Sequence, residues 1–263
     1  MHMETTTIVE VNKDVVQRKV RRMYTLVAQK PKGLKLHFEM GRKLCSKLGY
    51  PIKDLNKIPK EAIDSFAGVG YHFDFANLKE GDKVLDLGSG SGTDLFIASV
   101  KVGKTGKAVG LDMTNAQLDK VKKLINKNGF TNIELRKGYI EELPFDEQTF
   151  DIVISNGVIN LSPEKSKVFK EIARILKEDG RMAISDIISE KQLPQGIVCD
   201  PTLWAECIGG AMQQDDYKNS ILLSGLKIKD IRGNPRYRFL STGAAKATEK
   251  YGVKSVSILA VKI

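Results

Sequence analysis

The residues best equipped for chemistry gather in one stretch, "VLDLGSGSGTDLFIASV" (84–100). There an apolar run reaches an acid, Asp86, and opens into Gly88-Ser89-Gly90-Ser91-Gly92 before an apolar helix pattern. Glycines lack the Cβ that would hold a ligand away from the backbone, and the first turn of a helix offers unpaired N–H groups. Dinucleotide turns follow Gly-x-Gly-x-x-Gly, and phosphate loops end in Gly-Lys-Ser/Thr. Here the glycines fall at 88, 90 and 92 and no such lysine follows. An acid at the strand end would repel a pyrophosphate and suits a cationic ligand group. A second acid, Asp112, closes the next strand pattern, "VGLDM", and Met113 follows it.

Other groups capable of proton transfer or nucleophilic chemistry are few. His72 lies just ahead of the glycine turn in "FAGVGYHFDF" (66–75) and is the candidate general base if an acceptor must lose a proton; Tyr24, Tyr71 and His37 are weaker candidates. The three cysteines, Cys45, Cys199 and Cys207, are too few and odd in number for a secreted disulfide framework and read as reduced thiols. The basic insert 234–252, with Arg236 and Arg238 and with Arg232 just before it, could recognise an anionic group, or serve as a surface flap or a dimer contact.

These residues need a scaffold, and the hydropathy pattern supplies one. Strand patterns at 83–88, 107–113, 132–138, 150–156, 180–189, 226–233 and 255–263 alternate with helix patterns at 91–102, 114–129 and 164–177. Thr114 and Gly129 bracket the second helix as N-cap and stop. This alternation predicts an α/β fold, a doubly wound, mostly parallel sheet of seven strands with helices on both faces. Residues 1–80 read as an N-terminal helical extension or lid over a domain at 81–263. Inserts at 189–212 and 234–252, after the fifth and sixth strands, are expected to cover the strand ends where such sheets bind ligands.

Bulk composition narrows the class. The chain has 263 residues, 41% hydrophobic and 28% charged, enough to bury a sizeable core and unlike a disordered chain. It has no apolar run of about 18 residues, which argues against a membrane span. Its start lacks an apolar signal-peptide core, which leads us to expect a cytoplasmic location. The net charge of +10 invites a nucleic-acid partner, but the lysines are spread over helical faces among acids, which favours a solvated surface. The oligomeric state is not legible.

The glycine stretch resembles the first motif of class I S-adenosylmethionine-dependent methyltransferases, and further matches follow in order. The resemblance implies a Rossmann-like fold with S-adenosylmethionine as cofactor and S-adenosylhomocysteine as product. It implies that Asp86, Gly88, Ser89, Gly90 and Gly92 line the cofactor, that Asp112 holds the ribose hydroxyls and that Met113 lies against the adenine. "GYIEELPF" (138–145) supplies Ile140 and Glu141 at the adenine edge, and "FDIVISNGVIN" (150–160) supplies Asn156 beside the methyl-bearing end.

Over residues 64–225 the chain is similar to the arsenite methyltransferase family, through "GLDMT", "GYIE", "SNGVINLSPEKSKVFKEIARILK" and "WAECIGGAM". Members of that family hold arsenic with three cysteine thiolates. At the matching positions this chain has Val69, Gly157 and Cys207, so only the third thiol is kept and no metal site is expected. The acceptor pocket is expected to include Val69, Tyr71, Gly157, Asn160, Trp204 and Cys207, with His72 and Cys207 as catalytic candidates; Cys207 reads equally as a small buried apolar residue. The expected activity is methyl transfer to a small molecule, an apolar ring compound being one sub-class. A metalloid or thiol S-methyltransferase using Cys207 with Cys199, a macromolecular methyltransferase and a non-catalytic cofactor-binding protein stay open.

Overall fold

The computed structural model describes residues 12–29, 38–205, 207–240 and 242–263. Helices come first: α1 (Lys13–Gln29), α2 (Gly41–Leu48) and three single turns, α3 (Ile52–Leu55), α4 (Lys60–Ile63) and α5 (Phe73–Ala76). Strand and helix then alternate through β1 (Lys83–Leu87), α6 (Thr93–Val102), β2 (Lys107–Asp112), α7 (Asn115–Asn128), β3 (Ile133–Lys137) and β4 (Phe150–Asn156). A 3-10 turn at Ile159–Leu161 leads into α8 (Lys165–Ile175) and β5 (Leu176–Ser189). The remaining elements are α9 (Gln195–Val198), α10 (Pro201–Ala205), β6 (Met212–Gln213), α11 (Gln214–Leu222), β7 (Leu226–Gly233), α12 (Thr242–Tyr251) and β8 (Lys254–Lys262).

The sheet runs β3-β2-β1-β4-β5-β8-β7 from edge to edge, with the two-residue β6 paired to β5. Only β8 runs against its neighbours. Leu85 of β1 sits between Val109 of β2 and Val153 of β4. Helices cover both faces, so strands such as β1 and β4 must bury side chains on both sides, and they read as near-continuous apolar runs. Strand order reverses between β1 and β4, the place where open α/β sheets take ligands. The glycine turn leaves the C-terminal end of β1 at that point. Among the described residues no helix is long and apolar enough to cross a membrane.

The seven long strands match the expected ones closely, and β6 is additional. The clearest departure is at the join of α8 and β5. The helix pattern expected over 164–177 stops at Ile175, and β5 starts at once. Its ladder with β4 jumps from Phe150–Leu176 to Ile152–Arg181. Gly180 sits in that jump, where a Cβ would come within 2.7 Å of the Lys177 carbonyl oxygen. Thr114 stands at the N-cap of α7 as expected, but its side chain makes no capping bond.

Candidate active site

The glycine turn is held open by its own backbone and by the end of β2. Gly88 has φ +67°, and a Cβ there would meet Val158 Cγ1 at 2.5 Å, so a side chain is excluded twice over. The Ser89 N–H donates to the Leu111 carbonyl at 3.0 Å and the Gly90 N–H to Asp112 Oδ2 at 3.0 Å. Asp112 Oδ1 takes the Thr114 N–H at 2.8 Å. Asp112 therefore ties two strand ends together and still has lone pairs for a ligand, since a carboxylate accepts about four hydrogen bonds.

A cavity lies over this turn, lined by residues from β1, β2, β4, their following loops and α1. Four of its lining residues are acids, Asp86, Asp94, Asp112 and Glu141, and among the described residues no Lys or Arg lines it. The chain is strongly basic overall, yet this one cavity is acidic. Asp86 is 3% exposed, its Oδ2 has no partner among the described residues, and neither has the buried Ser89 Oγ. Burial pushes the Asp86 carboxyl well above the usual carboxylate range, with Asp94 and Asp112 adding to the push. Burial also raises Asp112. An orphaned, desolvated acid beside two more acids is a site that favours a cation.

Asn156, at the end of β4, is fully engaged. The two N–H groups of its Nδ2 are shared among Tyr50 Oη at 2.9 Å, Asp94 Oδ2 at 3.0 Å and the Gly70 carbonyl at 3.0 Å, and its Oδ1 accepts from the Val69 N–H at 2.7 Å. It lines the cavity as a staple between β4, α6 and the 68–70 segment, with little capacity left for a ligand. Glu141 lines the cavity too, its Oε1 taking the Ser162 hydroxyl at 2.6 Å.

Helix α1 forms the roof. Gln17, Val20 and Tyr24 face the cavity. The helix is pinned by Lys13 to Glu164, by Arg21 to Tyr139, by Lys19 Nζ to Thr202 Oγ1 at 2.7 Å, and by Gln117 Nε2 to the Tyr24 carbonyl at 3.0 Å. With α1 in place the enclosed volume is about 140 Å³, below the roughly 300–1,000 Å³ of ordinary ligand pockets. The chemistry of the lining suits a cationic nucleoside, and α1 contributes Gln17, Val20 and Tyr24 to it.

Of the residues expected at the cofactor, Asp86, Gly88, Ser89, Gly90, Asp112, Met113, Ile140, Glu141 and Asn156 line the cavity, as does Gly157. Gly92 does not. It caps α6 with φ +90°, and a Cβ there would press on Phe96 and Val121. His72, the candidate general base, lies away from this cavity. It is wholly buried, stacks on Phe73 at 4.9 Å, lies outside the cavity lining, and neither ring nitrogen has a partner among the described residues. Burial pulls its pKa down. The segment is held from the far end of the chain: Ser255 Oγ donates to the Val69 carbonyl at 2.7 Å and Ser257 Oγ to the Tyr71 carbonyl at 3.3 Å, and the His72 side chain that follows is in the core.

The expected acceptor residues Val69, Tyr71, Asn160, Trp204 and Cys207 also lie outside this cavity. Tyr71 packs edge-on to Tyr50 at 5.0 Å, with its phenol pushed up to about 12 by burial. Asn160 Nδ2 donates to the Cys207 carbonyl at 3.1 Å. Trp204 Nε1 donates to the Val198 carbonyl at 2.6 Å, and Lys165 Nζ lies 4.8 Å from its ring. Cys207 is buried with φ +64°, and after burial its charge interaction helps raise the Tyr24 phenol. Arg232 pairs with Asp74, away from the insert it was grouped with. His37 lies outside the described residues. Sequence reasoning missed Asp94, Gln117, Gln17 and Val20 at the cavity. Asp94 follows the glycine turn directly and was findable; the α1 residues were not, because only packing brings them there.

A methyltransferase-domain family model matches residues 78–225. An arsenite methyltransferase of Halobacterium salinarum is 38% identical over 185 residues, 70% of this chain and 47% of that protein. A demethylmenaquinone methyltransferase of Lactobacillus johnsonii is 38% identical over 153 residues, 49% of this chain and 62% of that protein. The chain thus spans about half the length of the arsenite methyltransferases it matches. Among solved structures, an arsenic(III) S-adenosylmethionine methyltransferase of Chlamydomonas reinhardtii superposes with a TM-score of 0.67 at 30% identity, over 81% of this chain and 72% of that one.

Proposed function

Because the chain belongs to the class I S-adenosylmethionine-dependent methyltransferases, we propose that it transfers a methyl group from that cofactor to a small-molecule acceptor. The observation that carries this reading is the acidic cavity at the glycine turn, with the unpartnered Asp86 Oδ2 inside it. S-adenosylmethionine supplies an electrophilic methyl on a sulfonium and also bears an ammonium group, so it is cationic at the end that does the chemistry. Asp86 and Ser89 would take its polar, positively charged end. Asp112 would accept from sugar hydroxyls with the lone pairs that Gly90 and Thr114 leave unused. Met113 and Ile140 would bracket the flat base, and Gln17, Val20 and Tyr24 would exclude water from above.

Transfer of this kind depends on positioning and desolvation more than on acid–base chemistry. The Tyr24 phenol, raised first by burial and then by Cys207, stays protonated near neutrality and acts as a wall and hydrogen-bond donor. Residues 12–29 act as a lid in this reading, and a cytoplasmic location fits the three thiols. The acidic cavity disfavours a phosphate backbone at the reacting centre.

A small organic acceptor is favoured over arsenic by positions 69 and 157. A Cβ on Gly157 would lie 3.1 Å from Val69 Cγ1, so the two positions that resemble the family's thiolate positions adjoin here. One is a branched hydrocarbon and the other has no side chain. The test is calorimetric titration with S-adenosylmethionine and S-adenosylhomocysteine, followed by a methyl-acceptor screen that includes arsenite. Micromolar binding is expected, with turnover on an organic acceptor and none on arsenite. Absence of binding refutes the reading.

A further inference from the structure

Tyr50 does not line the cavity at the glycine turn, yet it is bonded to two residues that do. It follows α2 closely, and its N–H donates to the Cys45 carbonyl at 3.0 Å. Its buried ring packs edge-on to Phe66 at 5.1 Å and to Tyr71 at 5.0 Å. The hydroxyl donates to Asp94 Oδ1 at 2.8 Å, and Asn156 Nδ2, within 2.9 Å of that hydroxyl, lies 3.0 Å from Asp94 Oδ2. Asp94, in the first turn of α6, thus lines the cavity with a donor on each oxygen. Burial first, and then Asp94, raises the Tyr50 phenol well above its usual range, so near neutrality this O–H is a donor only toward the carboxylate.

The order of the strand ends fixes which part of a ligand meets Asp94. Asp112 ends β2, Asp86 lies on β1 and Asn156 ends β4, and these strands are neighbours in the order β2-β1-β4. A nucleoside whose sugar rests on Asp112 crosses β1 toward β4. The chain attached to its sugar then arrives where Asn156 ties Asp94 to β4. In S-adenosylmethionine and S-adenosylhomocysteine that chain ends in an amino acid with a free ammonium group. Two donors fix the orientation of the Asp94 carboxylate and leave it about two of its four lone-pair positions for a ligand. Because the donors come from packed side chains, the carboxylate has little reorganisation to undergo when the cation arrives.

We propose that Tyr50 is a positioning residue of the cofactor site: together with Asn156 it holds the Asp94 carboxylate turned toward the ammonium group of the bound cofactor. This inference rests on the methyltransferase reading and deepens it. The segment ahead of β1 then serves the site twice, with α1 as the roof and Tyr50 behind Asp94. Asp94 binds and exchanges no proton with the ligand. A hydrogen bond between an ammonium and a carboxylate is about twice as strong as a neutral one, and it depends on the carboxylate being aimed. Removing the Tyr50 hydroxyl leaves Asp94 Oδ1 without that donor and frees the carboxylate to turn away.

The test uses the full chain and a pair of thioethers that share adenine, ribose and sulfur. S-adenosylhomocysteine carries the amino-acid arm with its ammonium group, and methylthioadenosine lacks that arm. Both are titrated calorimetrically into wild type, Tyr50→Phe, Asp94→Asn and the double variant. Tyr50→Phe keeps the packed ring and should weaken S-adenosylhomocysteine by about tenfold while leaving methylthioadenosine within about twofold of wild type. Asp94→Asn should weaken S-adenosylhomocysteine at least as much. In that background Tyr50→Phe should add less than about threefold, because the hydroxyl acts through Asp94. Equal weakening of both ligands by Tyr50→Phe marks a merely structural role and overturns the proposal. So does unchanged binding of S-adenosylhomocysteine, or losses that multiply in the double variant. Wild type that fails to bind S-adenosylhomocysteine removes the methyltransferase reading and this assignment with it.

Discussion

Asp86→Asn should make the ligand-free protein more stable and the cofactor complex weaker. In the wild type Asp86 is 3% exposed and leaves Oδ2 without a partner among the described residues. Burial raises its pKa well above the ordinary value, and Asp94 and Asp112 raise it further. A pKa higher in the folded than in the unfolded state means that this carboxyl's stabilising contribution is complete below about pH 4 and is lost as pH climbs through the folded-state value. Asparagine keeps the shape, carries no charge to desolvate, and offers an N–H where Asp94 offered repulsion. Leaving a buried polar group unsatisfied costs about 1–3 kcal/mol, and more when it is charged. At pH 8 the variant should therefore gain about 1–3 kcal/mol, several degrees of Tm, and the gain should shrink toward zero near pH 4. Loss of a charge-assisted hydrogen bond of about 1.5–3 kcal/mol should weaken S-adenosylmethionine by about 10–150-fold. Scanning calorimetry across pH 4–8.5, together with titration calorimetry, measures both sides. A variant less stable than wild type at pH 8, or one that binds the cofactor unchanged, would refute the electrostatic reasoning.

Three further outcomes are expected. His72→Phe should leave methyl transfer intact and improve acid stability: the folded-state pKa of His72 is lowered by burial, so the unfolded chain takes up the proton first as pH falls below about 6.5. Thermal melts at pH 5 and pH 8 would show the pH-dependent loss narrowing in the variant, and loss of turnover with stability kept would restore His72 to the reaction. Gly88→Ala should cost at least about 2 kcal/mol in urea unfolding, from φ +67° and the 2.5 Å approach of its Cβ to Val158; a change below about 0.5 kcal/mol would contradict the close packing seen there. Hydrogen exchange in α1 should slow when S-adenosylhomocysteine is added, because Gln17, Val20 and Tyr24 roof the cavity. Identical protection with and without the ligand would mean α1 plays no part in closure.

The glycine turn, the acids at the ends of β1 and β2, and the bounds of β1, β2, β4 and β8 were all written in local sequence. Turn geometry, strand burial on two faces and helix stops are short-range properties, carried by residue type and spacing within a few positions. The join of α8 to β5 was misread because the jump in the Phe150–Arg181 ladder belongs to strand pairing and leaves no local mark. His72 looked available because its neighbours belong to a pocket-facing segment, yet hydrogen bonds from Ser255 and Ser257, at the far end of the chain, set which way it points. The same distance in sequence hid the use of Asn156 as a staple to Tyr50 and Asp94 and the roof made by α1. A basic chain with an acidic cavity is the plainest case. Sequence alone determined how many charges of each sign the protein carries, and only the meeting of three separate segments decided that Asp86 and Asp94, Asp112, and Glu141 would face one space with no lysine or arginine among its described lining residues. Coulomb interactions depend on distance through the fold, and sequence separation does not set that distance.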